Sequence, residues 1–218
     1  MENRSHPPGR ATRLCIVRHG ETDWNAVRRI QGHVDVPLSA VGHAQARAAG
    51  NALASEGLAA IYSSDLTRAR QTAEATAHLT HVPLQLTSGL RERHYGVFQG
   101  LTYAEAAVQY PEAYARHQAR DDAHFAPPDG ESLHDLALRI AGVCDDIVRR
   151  HAGEAVAIFT HGGVLDVLYR RALGRPLTAP RDFAIPNAGI NWIEVVDDCW
   201  SVLTWAERDH LDSVRDEL

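Results

Sequence analysis

Two short stretches place histidine where phosphoryl chemistry could use it: LCIVRHGETDWN, with His19 after Arg18, and FTHGG, with His161 before Gly162. A neutral imidazole can attack phosphorus when one ring nitrogen is unprotonated and aimed, and a hydrogen bond from the other nitrogen usually secures that state. His19, in a tight turn, is the candidate nucleophile. A phosphate dianion also needs cations that fit its oxygens, and the arginine fork binds two oxygens at once. Arg18 and Arg68 are the candidates. His161 sits where backbone N–H groups at a helix N-terminus would favour an anion, so it is assigned to phosphate binding and transition-state charge. A leaving alkoxide needs a proton, and Glu92 in LRERHYGVFQG is the candidate general acid; phosphate charge nearby favours its protonated form. Each residue alone has a plainer reading, as a surface histidine, a helix-surface arginine or a solvated carboxylate. Only the combination points to a site.

Composition removes other chemistries. All 22 basic residues are arginine and none is lysine, which excludes a pyridoxal phosphate site, a lysine Schiff base, a Walker A loop and a protein-kinase centre. The net charge of −6 disfavours nonspecific attraction to nucleic acid or an anionic membrane and points to a small substrate or a protein partner. Cys15, Cys144 and Cys199 are scattered and form no CxxC pair, so they read as reduced core thiols. With no HExxH or His-x-His pattern, and with His78 and His81 lacking carboxylate or thiolate company, no catalytic metal is expected. The absence of an apolar leader or a long apolar run leads to the expectation of a cytoplasmic protein.

The elements that must position these groups alternate. RLCIV, from Arg13 to Val17, reads as a buried strand feeding the His19 loop. Ser39 can cap an alanine-rich helix to about Ser55, which Gly57 ends before a strand from Leu58 to Tyr62. A helix bearing Arg68 and Arg70 runs to about Leu79, followed by a strand from Val82 to Leu86. Thr102 to Arg120 favours helix, with Pro111 suited to a first turn, and Asp122 to Ser132 reads as a loop within a variable insertion. An amphipathic helix from Ser132 to His151, a strand from Ala155 to Phe159 and a helix from Gly163 to Leu173 come next. Strands Gly189 to Val196 and Trp200 to Trp205 flank the acidic turn Asp197-Asp198 as a hairpin. The expected fold is α/β, a three-layer α/β/α sandwich with a mostly parallel central sheet, formed by a single domain over 13–218 after a flexible tail over 1–12. Two strands end in histidine followed by glycine, and ligand sites in such sheets lie beyond the carboxyl ends of strands.

These segments resemble the histidine phosphatase superfamily, also called the phosphoglycerate mutase-like family. The resemblance rests on RHGETDWN, QGHVDVPLSAVGHAQA, YSSDLTRARQTA, LRERHYGVFQG and THGG, in the family order, and covers about residues 13 to 205. It implies a phosphohistidine on His19, a phosphate pocket of Arg18, Asn25, Arg68 and His161 with Gly162, a proton donor in Glu92, and neither metal nor other cofactor. The ERHYG run resembles that of cofactor-dependent phosphoglycerate mutases, in which the counterparts of Arg93, Tyr95, Gln31 and Gly32 contact substrate. Those mutases have a lysine at the position of Tyr103 and a paired-arginine segment in a longer insertion. Fewer cations to retain a second acidic group tilt the expectation toward a phosphomonoesterase acting on small sugar- or glycerate-type phosphate esters. The alternatives are a 2,3-bisphosphoglycerate-dependent phosphoglycerate mutase and a non-catalytic phosphate-ester binding protein, the latter disfavoured because His19, Arg18, Arg68, Glu92 and His161 all stand in place. The expected partner is a small phosphorylated metabolite, with no nucleic acid and no membrane. Apolar residues near Trp200 to Trp205 could join copies into a homo-oligomer, and core packing explains them equally well.

Overall fold

The structure is a computed structural model and describes residues 10–212 and Val214. A six-stranded sheet has the order β3-β2-β4-β1-β5-β6. Its strands are β1 (Thr12–Arg18), β2 (Leu58–Ser64), β3 (Leu84–Thr87), β4 (Ala155–Thr160), β5 (Ile190–Val196) and β6 (Cys199–Glu207). The β1/β4, β2/β4 and β2/β3 pairs are parallel, while β5 runs antiparallel to both β1 and β6. Strands β1 and β4 are buried on both faces, so they read as apolar runs rather than as an alternation.

The faces of β1 and β4 nonetheless divide by parity. Leu14, Ile16, Val156 and Ile158 join one core with α6 (Leu133–Arg150) and α7 (Gly162–Ala172). Cys15, Val17, Ala157 and Phe159 join the other with α2 (Ala40–Leu53) and α3 (Thr67–Thr80). The expected three layers follow. Helix α6 buries Leu133, Leu136, Ile140, Cys144 and Ile147 along one stripe, each aliphatic side chain contributing about 1.5–3 kcal/mol. Its start is fixed by a capping box in which Ser132 accepts from Asp135 N and the Asp135 carboxylate accepts from Ser132 N.

Several expectations change at their edges. Thr12, assigned to the tail, opens β1, and residues 1–9 of that tail lie outside the described residues. A one-turn helix α1 (Asp23–Ala26) interrupts the loop after His19, capped by Thr22 and Asn25. The strand expected from Val82 begins at Leu84, because His81 closes α3 at φ 59 and Pro83 follows. The helical stretch from Thr102 divides into α4 (Tyr103–Gln109) and α5 (Pro111–Ala119). Pro111 disfavours helical backbone at Tyr110, which adopts φ −134 and ψ 59. The hairpin turn is as expected: Asp197 and Asp198 have φ 47 and 64, the left-handed pair that a two-residue turn of matching twist requires. Cys15 and Cys144 are core thiols, and burial raises both pKa values, that of Cys144 to about 12; Cys199 is exposed on β6 instead. No helix among the described residues is long and apolar enough to cross a membrane.

Candidate active site

The carboxyl ends of β1, β4 and β2 lie side by side and deliver the catalytic candidates. Arg18 pairs with Thr160 in the β1/β4 register, and His19 N donates to Thr160 O at 2.9 Å. The His19 and His161 rings come to 5.2 Å between centroids. Close approach of backbone holds the His19 turn: a Cβ on Gly20 would lie 2.6 Å from Gly42 O in the first turn of α2.

His19 is 3% exposed, and its Nδ1 lies 2.7 Å from Gly20 O. A carbonyl can only accept, so Nδ1 carries the hydrogen and Nε2 the lone pair. Burial, then the charges of Arg68 and Arg18, hold the His19 pKa well below its ordinary value, so the ring is neutral at neutral pH. His161 is fully buried and is depressed in the same way, by burial first and then by Arg68. Its Nε2 is 2.8 Å from Ser64 Oγ, which also accepts from Leu66 N. The serine hydrogen can therefore go to Nε2, which leaves Nδ1 as a donor.

Arg68 projects from the first turn of α3 and is 1% exposed. Its Nη1 donates to Val34 O at 3.0 Å and its Nη2 to Gly32 O at 2.8 Å. Burial lowers its pKa to about 10, which still leaves it charged at neutral pH. Arg18 Nη1 donates to Ile185 O at 2.6 Å. Three buried polar atoms, Arg18 Nε, Arg68 Nε and His161 Nδ1, have no hydrogen-bond partner among the described residues. Buried donors rarely stay unpaired, and three converging on one place fit the oxygens of an anion.

Glu92 is 9% exposed and spans the start of α7. Its Oε1 accepts from Arg93 N at 2.8 Å and its Oε2 from Gly163 N at 3.0 Å. A Cβ on Gly163 would collide with Glu92 Oε1, so a larger residue there would displace the carboxylate. His33 Nε2 meets Glu92 O at 2.7 Å and Arg139 Nη2 meets it at 3.2 Å, so the carboxyl-bearing backbone is fixed.

Asn25 Oδ1 accepts from Thr22 N and Thr22 Oγ1, and its Nδ2 makes no hydrogen bond among the described residues. Gly32 acts through its carbonyl, which holds Arg68, and Gln31 is buried with Oε1 unpartnered among the described residues. Arg93 gives Nε to Glu131 O and one Nη2 hydrogen to Phe125 O, pinning the loop after α5, and Nη1 makes no hydrogen bond among the described residues. Tyr95 lies beside it, the Arg93 guanidinium 5.7 Å from the ring. Burial and the Glu92 charge raise the Tyr95 hydroxyl well above its ordinary value, so it is a neutral donor. Sequence reasoning missed Ser64, His33 and Asn187, whose Nδ2 donates to His19 O at 3.0 Å. The repeated serine at the end of β2 was a usable signal for Ser64; Asn187 follows a proline-containing loop that carried none.

The family model of the histidine phosphatase superfamily (branch 1) matches residues 14–208. Phosphoglycerate mutase-like protein 4 of Arabidopsis thaliana is 41% identical over 202 residues, covering 91% of this chain and 86% of that protein. The metal-independent phosphoserine phosphatase of Arabidopsis thaliana is 38% identical over 205 residues, 93% of this chain and 84% of that protein. Among solved structures, a mycobacterial glucosyl-3-phosphoglycerate phosphatase superposes with a TM-score of 0.82 at 32% identity, covering 91% of this chain and 100% of that one.

Proposed function

The chain belongs to the histidine phosphatase superfamily, and we propose that within it the chain is a phosphomonoesterase for small sugar- or glycerate-type phosphate esters. One observation carries the site assignment: a buried neutral His19 with a free Nε2 stands among three unpaired buried donors, Arg18 Nε, Arg68 Nε and His161 Nδ1.

The phosphate is held by Arg18, Arg68, Asn25 Nδ2 and His161 Nδ1. His19 Nε2 attacks phosphorus in line; the N–P bond forms as the ester P–O bond breaks, and Glu92 gives its proton to the leaving oxygen. The pocket donors gain strength as charge develops on the equatorial oxygens, the usual source of the largest rate term. Water, deprotonated by Glu92, then attacks the phosphohistidine, releasing inorganic phosphate and neutral His19. The Gly20 carbonyl keeps Nδ1 protonated throughout, so Nε2 is always the nitrogen presented. The reading includes a small phosphorylated metabolite as partner and a cytoplasmic location.

A second reading, transfer back to another hydroxyl as in a mutase, is favoured by the Phosphoglycerate mutase-like relative and by the ERHYG run. Against it, Tyr103 stands at the head of α4 where the mutases have lysine, and the connection from α5 to α6 is short. Pure protein given 3-phosphoglycerate, with and without the 2,3-bisphosphate, separates the two. The phosphomonoesterase reading expects free phosphate as the main product; bisphosphate-stimulated formation of the 2-phosphate isomer overturns it.

A further inference from the structure

A second charge cluster borders the phosphate site. Asp166, one turn into α7, is 1% exposed, and its carboxylate is shared by Arg120 Nη2, by Arg170 Nε at 3.1 Å and by Arg181 Nε at 3.1 Å. One negative charge against three positive leaves an excess of cation. Arg170 is buried and also holds Pro176 O, and Arg120 holds Leu177 O, so both serve the local fold. Arg181 differs. Its side chain is 48% exposed, and among the described residues its Nη groups make no hydrogen bond.

Arg181 stands in the connection between α7 and β5 that also supplies Ile185 O to Arg18 and Asn187 to His19. Its anchor Asp166 lies one helical turn after Gly162, on the same face of α7, and a Cβ on Gly162 would stand 3.7 Å from Arg18 Nε and 3.9 Å from Glu92 Oε2, so Asp166 holds the guanidinium beside the part of α7 that borders the phosphate site. In-line attack puts the leaving oxygen opposite His19, at Glu92, whose Oε2 accepts from Gly163 N at the start of α7. The alcohol part of the ester therefore leaves past the start of α7, the helix whose Asp166 anchors Arg181.

We propose that Arg181, anchored through Nε by Asp166, reads a carboxylate on the alcohol part of the ester through its paired Nη groups, so that phosphorylated hydroxy acids are preferred over phosphates of neutral alcohols. An end-on guanidinium matches two carboxylate oxygens, and the anchor removes the rotamer freedom that such a contact otherwise costs. The proposal rests on the phosphomonoesterase reading.

The test is phosphate release from 3-phosphoglycerate and from glycerol 3-phosphate, which differ in the carboxylate, by wild type, Arg181→Gln and Arg181→Lys. Wild type should favour the acid in kcat/KM by about 10- to 100-fold, the range of a charge-assisted contact. Arg181→Gln should reduce that ratio about tenfold or more, mainly through KM, and Arg181→Lys should recover part of it. Asp166 keeps Arg120 and Arg170 in the variants, and thermal melts confirm folding; should Arg181→Gln not fold, Arg181→Lys and the wild-type ratio decide. A wild-type ratio near one, or a ratio unchanged by Arg181→Gln, overturns the proposal. If neither ester nor p-nitrophenyl phosphate releases phosphate, the phosphomonoesterase reading itself falls and the proposal with it.

Discussion

Replacing Arg68 by glutamine tests three consequences of one buried guanidinium. Two are losses. The unpaired Nε no longer meets a phosphate oxygen, and removing such a preorganised donor costs about 2.7–4 kcal/mol of transition-state stabilisation, a 100- to 1000-fold fall in kcat/KM. Val34 O and Gly32 O lose their Nη partners, each costing about 1–3 kcal/mol of stability where it stays buried. The third is a shift with a definite sign. His19 must be neutral to attack, so activity falls as pH drops through its pKa. In the wild type burial, Arg68 and Arg18 hold that pKa well below 6.5, and the acid limb lies correspondingly low. Removing Arg68 takes away the larger of the two charge effects while burial persists, so the pKa rises part of the way and the acid limb moves to higher pH. The assay is kcat/KM for phosphate release across acidic to neutral pH for both proteins. The ester's own ionisation is common to both, so the displacement belongs to the enzyme. An acid limb that stays in place, together with a loss under tenfold, refutes this account of Arg68.

Asp166→Asn should destabilise the fold by about 3–5 kcal/mol, read from denaturant midpoints, because it leaves Arg170 buried beside two further guanidinium groups without a counter-charge. Burial alone would raise the Asp166 pKa, but Arg120, Arg170 and Arg181 outweigh it and hold it low. Its stabilisation is therefore full above the unfolded pKa and is lost as pH falls through the folded one; the variant should lack that part of the acid destabilisation. Glu92→Gln should cut turnover of alkyl phosphates by about 100- to 10,000-fold, the span of general acid catalysis, and that of p-nitrophenyl phosphate much less, since nitrophenolate leaves without a proton. Equal losses on both substrates would remove Glu92 from the proton-donor role.

The sheet was legible because its central strands announce themselves. RLCIV and AVAIF are unbroken apolar runs that stop at Arg-His-Gly and Thr-His-Gly, and the structure sets those stops side by side. Arg18, His19 and His161 stand at those strand ends and Arg68 in the first turn of α3, so their placement was readable too, while Glu92 lies in the loop between β3 and α4 and was visible only through its segment. What escaped were groups whose role exists only in three dimensions. Ser64 acts through His161, 97 residues away, and Asn187 through the backbone of His19, 168 residues away. Gly32 and Arg93 also have roles toward the protein that the sequence does not show: the Gly32 carbonyl orients Arg68, and Arg93 ties down the loop after α5. The break at Tyr110 was half visible, since Pro111 suits a helix start but does not say that another helix has just ended.

The most direct test of the central claim is rapid acid- and base-quench of the protein mixed with a phosphate ester, followed by mapping of the covalently bound phosphate. Phosphate that is labile to acid, stable to base and attached at His19, and that is absent from His19→Ala along with all but a trace of turnover, is the predicted result. Turnover with no phosphoprotein, or a His19→Ala protein that keeps substantial phosphatase activity, would contradict it.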